Sequence, residues 1–194
     1  MTRLFRMTVV VAALMLMSAA QVAAAGNAVR ASMTGTPAGV NFDPAAVAER
    51  CPAEFVGVGA IVQSAGSGEL ASEAYTGPVT YTEEHCTRPR QAPPDVFARE
   101  VTPLLIAAGM LTLTTPTGDT LNLEFTNPGV LKGDLTLAGF NRHTFNGPYT
   151  ITGGTGIFAG ASGHGQIGGV AEGEGGPGGI VITLDLHGSL RVPG

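Results

Sequence analysis

The chain is predicted to be all-β: a closed eight-stranded antiparallel barrel, with a two-sheet sandwich as the alternative. Three observations carry this. Apolar residues recur at every second position, turn residues punctuate the pattern at short intervals, and eight such segments fit into about 140 residues. Closure suits such a chain because it removes the edge strands through which strand-rich proteins aggregate.

Taken in order, the first element is an address. Arg3 and Arg6 open the chain, Met7 to Met17 is almost wholly apolar, and Ala23-Ala24-Ala25 supplies small residues for cleavage. This is the tripartite pattern of a secretory signal over residues 1–25. The apolar run is shorter than the roughly 20 residues needed to span a bilayer, and no span is expected after processing. Cleavage near Ala25 removes two Arg and no acid, taking the net charge from -5 to -7. Residues 26–50 show little pattern and read as a mobile N-terminal arm, apart from a turn or two of helix at Pro44 to Arg50. The barrel domain is expected over 51–194.

Strands are expected at about 55–63, 69–86, 107–115, 119–126, 130–139, 144–152, 163–171 and 179–190. Leu121, Leu123 and Phe125 alternate with Asn122, Glu124 and Thr126, and Ile180, Ile182, Leu184 and Leu186 with Val181, Thr183, Asp185 and His187. Pro116 to Asp119 is a hairpin connection in which Gly118 supplies a positive φ. Asn127-Pro128-Gly129 and Gly139 to His143 are expected to turn the chain in the same way. A long insertion from Thr87 to about Ile106 contains four prolines, with a short helix expected at Asp95 to Val101. Charged residues alternate with apolar ones without an aromatic girdle, so the apolar face points inward, the reverse of an outer-membrane barrel.

Composition excludes some functions. Charged residues are 13% of the chain, acids outnumber bases fifteen to ten, and there is no Trp, so a nucleic-acid partner is not expected. Cys51 and Cys86, the two cysteines of an exported chain, read as one disulfide. A metal site using Cys86 with His85 is the competing reading, disfavoured because adjacent side chains on a strand point to opposite faces.

Residues 153–163, Gly-Gly-Thr-Gly-Ile-Phe-Ala-Gly-Ala-Ser-Gly, resemble the signature of the allene oxide cyclase barrel-like and dirigent-like superfamily, in particular its secreted bacterial members. Cys51, His85-Cys86 and Gly118-Asp119 stand in the order familiar from that group, and the resemblance covers roughly 51–190. It implies a calycin-like barrel with a central cavity, and in many members a homo-oligomer. Relatives include fatty-acid epoxide cyclases, proteins that steer radical coupling, and polyketide cyclases. No pocket residue of theirs maps onto this chain position by position. Within the motif, Gly153, Gly154, Thr155, Gly156, Gly160 and Gly163 allow a tight fold, and Phe158 is expected to be buried as its anchor.

Other constellations carry less. Gly154 to Ala159 fits a dinucleotide fingerprint formally, but the glycines that follow would break the helix it needs. Gly160 to His164 misses the nucleophile-elbow pattern at its last place. The four histidines lack metal-ligand spacing, so neither metal nor cofactor is expected. Tyr81, Glu83 and His85 share one face of a strand and are the candidate catalytic set, for a carboxylate beside an imidazole suits acid–base chemistry. The competing reading puts that row on a solvated outer face.

The function expected is therefore an exported barrel that holds or orients a small hydrophobic molecule. One alternative is an isomerase or cyclase of the allene oxide cyclase type. The other is a structural or interaction protein with a filled core. Glycines over 163–179 are expected to leave volume for the guest.

Overall fold

The computed structural model describes residues 27–89, 102–125, 129–136, 139–173 and 179–193. Nine strands follow in order: β1 (Ala28–Asn41), β2 (Ala60–Ala71), β3 (Thr76–Pro89), β4 (Thr102–Thr114), β5 (Thr120–Phe125), β6 (Gly129–Thr136), β7 (Gly139–Gly154), β8 (Ser162–Glu172) and β9 (Val181–Arg191). Each pairs antiparallel with its neighbours, and β1 closes the sheet by pairing with both β2 and β9. β5 and β6 lie one after the other in a single place between β4 and β7, so nine strands make an eight-stranded closed barrel.

The alternation read from the sequence sets the inner wall. Leu111 and Leu113, Leu121, Leu123 and Phe125, Ile151, and Ile182, Leu184, Leu186 and Leu190 are all buried in or against one core, with exposed or half-buried polar neighbours between them. Phe158 is fully buried in the same core, as its motif requires.

Three expectations are corrected. Residues 26–50 are not an arm, because Ala28–Asn41 is a barrel strand bonded on both sides. Small and polar residues hide its period, yet Val29, Ala31 and Met33 point inward and are buried. Cys51 therefore follows the first strand rather than preceding it. Of the turn expected at Asn127-Pro128-Gly129, residues 127–128 lie outside the described residues, and the strands on either side run in line along β4 rather than pairing as a hairpin. Gly139 to His143 is strand, and the β6–β7 connection lies just before it, with Thr136 paired to Gly139. The signal segment 1–25 and the helix expected at Asp95 to Val101 lie outside the described residues.

One end of the barrel is shut. The Gly153–Gly163 segment folds over it, with Gly156 at φ 56° because a Cβ there would meet the Asp119 carboxylate at 1.6 Å. Thr155 Oγ1 accepts from the Thr120 amide at 3.0 Å, tying the segment to the Pro116–Asp119 turn. Gly118 in that turn has the expected positive φ, 88°. Beneath them the Phe158 ring meets Tyr75 edge-on at 6.2 Å.

At the other end a strap crosses the outer wall. Asp43 caps the short helix α1 (Pro44–Arg50), accepting from the Ala45 amide, with Pro44 in the first turn. Val47 of α1 and Phe55 beyond it cover Ile61 and Cys86, which face outward from β2 and β3. The Cys51–Cys86 disulfide locks this strap to the wall across a separation of 35 residues. Arg88 lies over the Phe55 ring at 5.3 Å, and Arg50 binds Glu84 beside it.

Candidate functional site

β3 carries the site, and its inner face changes character along its length. From the shut end, Val79 and Tyr81 are apolar in contact, and Glu83 and His85 follow on the same face. Thr80 and Thr82 between them are exposed, while Tyr81 is 2% and Glu83 8% exposed. The row expected at Tyr81, Glu83 and His85 therefore lies inside the barrel, not on its solvated face.

Register brings β2 into the cluster. Ser64 pairs with Glu83, is itself buried, and donates its hydroxyl to Glu83 Oε2 at 2.9 Å. His85 Nδ1 donates to Glu83 Oε1 at 2.5 Å. With Nδ1 held by the carboxylate, Nε2 lies on the opposite side of the ring, which reaches solvent with 14% of its side chain exposed. Sequence reasoning missed Ser64, because β2 is built of Ser, Ala and Gly and shows no clear apolar period there.

The Tyr81 hydroxyl is buried with no hydrogen-bond partner. Burial raises its pKa above the ordinary 10; the neighbouring Ser64 hydroxyl, not aligned as a hydrogen-bond partner, pulls it down, and the charge of Glu83 pushes it up. Its ring lies over backbone, for a Cβ on Gly35 would fall 2.2 Å from the hydroxyl and one on Gly66 2.7 Å from the ring. The same device recurs around the wall. Tyr149 covers Gly165 and Gly188, Phe145 covers Gly169, and Phe125 covers Gly109. The volume expected over the glycines at 163–179 is thus occupied at Gly165 and Gly169 by rings from β7.

A bulge in β4 lies opposite His85. Glu84 pairs with Met110 and Cys86 with Ala107, so β4 carries one extra residue between them. Ala108 there adopts φ 51°, a strained value for a side chain other than glycine. The bulge turns Ala107 and Leu105 outward beneath α1 and keeps Gly109 and Leu111 toward the lumen. His85 and Cys86 accordingly face opposite sides of the wall, and the cysteine is in the disulfide.

This end of the lumen is wet. Register sets Val40 on the inner side opposite Val62, yet it is 48% exposed, whereas Leu190 and Leu121 at the shut end are 4% and 0% exposed. A recess of about 570 Å³ lies on the outer wall, lined in part by Ser32, Ser67, Glu69, Pro78, Thr80 and Thr114, and is separate from the Glu83 cluster. Among the described residues no three His, Cys, Asp or Glu side chains converge as metal ligands. Among them too, no helix is long and apolar enough to cross a membrane.

No protein-family model, curated protein or solved structure matches the chain.

Proposed function

We propose that the protein is an exported, calycin-like barrel that holds and orients a small, mainly apolar molecule at the wet end of its lumen. The observation that carries this is the Ser64–Glu83–His85 cluster on the inner wall. A buried carboxylate–imidazole pair is a poor source of stability, because apolar residues of similar volume would serve a core as well or better. Toward the same end of the wall Ile106 packs against Phe145, and an apolar surface near a polar cluster suits a guest with an apolar body and one polar group. The disulfide and the signal pattern agree with export. Thermal shift of the oxidised protein across a panel of apolar compounds tests the reading, a bound guest raising Tm with concentration. A flat response across the panel, with Glu83→Leu/His85→Leu melting no differently from the parent in its presence, would overturn it.

The inward orientation of Glu83 and His85 favours a second reading, an isomerase or cyclase of the type the Gly153–Gly163 resemblance suggests. His85 Nε2 would move the proton, Glu83 would hold the imidazole in the required tautomer, and the lumen would set the substrate's shape. Product formation lost in His85→Gln, with binding retained, distinguishes this from carriage alone. The aromatic rings packed over inner-wall glycines suit the third reading, a filled structural core, which the thermal-shift panel also tests.

A further inference from the structure

Among the described side chains the charge that faces the lumen has one sign. Glu83 is the carboxylate there, and the arginines whose side chains are described lie elsewhere. Arg30 and Arg191 are exposed on the outer faces of β1 and β9, Arg50 leaves α1 to bind Glu84, and Arg88 packs on Phe55 outside the wall. Among the described side chains the other inward titratable groups are His85, already bonded to Glu83, and the two phenols Tyr81 and Tyr149, which burial keeps protonated past their ordinary range.

The carboxylate has acceptor capacity to spare. Each Glu83 oxygen takes one hydrogen bond in the structure, leaving lone pairs on both. The Tyr81 hydroxyl, 2% exposed and without a partner, adds an oxygen two residues away on the same face. A guest that brings N–H donors and positive charge completes this arrangement. A guest carboxylate would instead place a second negative charge beside Glu83, with no arginine among the described side chains to meet it.

Resting on the binding reading above, we propose that the ligand is an apolar amine, its ammonium group donating to Glu83 and to the Tyr81 oxygen, and that fatty carboxylates are rejected. Glu83 and Tyr81 thus set the head-group chemistry of the guest. The apolar half is left to the lumen.

The test uses three probes of one chain length, decylamine, decanol and decanoate, titrated calorimetrically into the oxidised protein at about pH 8, where the free amine is protonated and the free carboxylic acid ionised. Decylamine is expected to bind about tenfold more tightly than decanol, and decanoate about tenfold more weakly. Glu83→Gln should shrink the amine-to-carboxylate ratio by about tenfold or more, while Glu124→Gln on the outer wall, a control for the protein's acidity, should leave it unchanged. Should Glu83→Gln fail to fold, Tyr81→Phe removes only the unpartnered hydroxyl and should weaken decylamine more than decanol. Decanoate binding as tightly as decylamine, or equal ratios in Glu83→Gln and the parent, overturns the head-group assignment and leaves the binding reading standing. Failure of all three probes to bind removes both.

Discussion

The two ends of this barrel solve the same problem with different chemistry. At the shut end Phe158, Leu121, Leu190 and Ile151 pack as one apolar cluster beneath the hydrogen-bonded Gly153–Gly163 segment. At the wet end the wall carries Ser64, Glu83 and His85, a strained bulge at Ala108, and a strap held outside by a disulfide. The difference teaches where stability and function divide. The shut end is built the way cores are built, and the wet end keeps polar groups that packing alone would not select.

Truncating the plug tests the first half of that comparison most severely. Phe158→Ala should cost about 3–5 kcal/mol, read from urea unfolding, because the lid's other bulky side chain, Ile157, is exposed to solvent rather than packed toward the void. A loss below about 1 kcal/mol would mean that the segment merely rests on the barrel.

At the opposite end covalent chemistry replaces packing. Cys51→Ala with Cys86→Ala should cost about 3–4 kcal/mol, the amount expected from releasing a loop of 35 residues. Proteolysis should then cut first between α1 and β2, since the strap has lost its lock. Cleavage that begins in the Gly153–Gly163 segment instead would reverse the assignment of the weaker end.

Alkaline titration probes the rings that line the wall between the two ends. Burial pushes the Tyr149 phenol up to about 12, whereas an unfolded tyrosine ionises near 10. Between these values the unfolded chain has released a proton that the folded one retains. Stability is therefore complete below pH 10 and falls as pH rises toward about 12, by about 1.4 kcal/mol per unit. Tyr81, also raised, adds in the same direction. Tyr149→Phe should flatten the slope without loss of stability below pH 10, because the hydroxyl it removes has no hydrogen-bond partner. A slope unchanged in that variant would show that the ring is not sealed in.

The smallest stability effect is the most telling. Glu83→Leu with His85→Leu should leave Tm within a few degrees of the parent or raise it, because apolar residues of similar volume avoid the desolvation cost of the carboxylate. A loss of more than about 3 kcal/mol would make the pair a structural element of the wet end and erase the contrast drawn above.

Much of this was legible from residue order alone. Leu121-Asn122-Leu123-Glu124-Phe125 and Ile180 to His187 declare half-buried strands, because alternation is dictated by the pleat whatever the strand pairs with. Tyr81, Glu83 and His85 share a face for the same reason, but alternation does not say which face is the inner one. β1 escaped notice because Ala, Ser, Thr and Gly in Ala28–Asn41 bury well without an apolar signature. Ser64 became part of the site only through its register with Glu83, and register is a property of two strands.

The chain by itself therefore determined an all-β fold, the inward set of leucines and isoleucines, the paired cysteines and the need to bury Phe158, each a consequence of local stereochemistry or of side-chain solubility. The tertiary structure decided the rest. It placed Glu83 and His85 inside, set Ser64 against the carboxylate, and covered Gly35, Gly165 and Gly169 with rings from other strands. Closure of the sheet is the physical reason: it gives every strand an inside and brings together side chains whose positions in the chain carry no mark of one another.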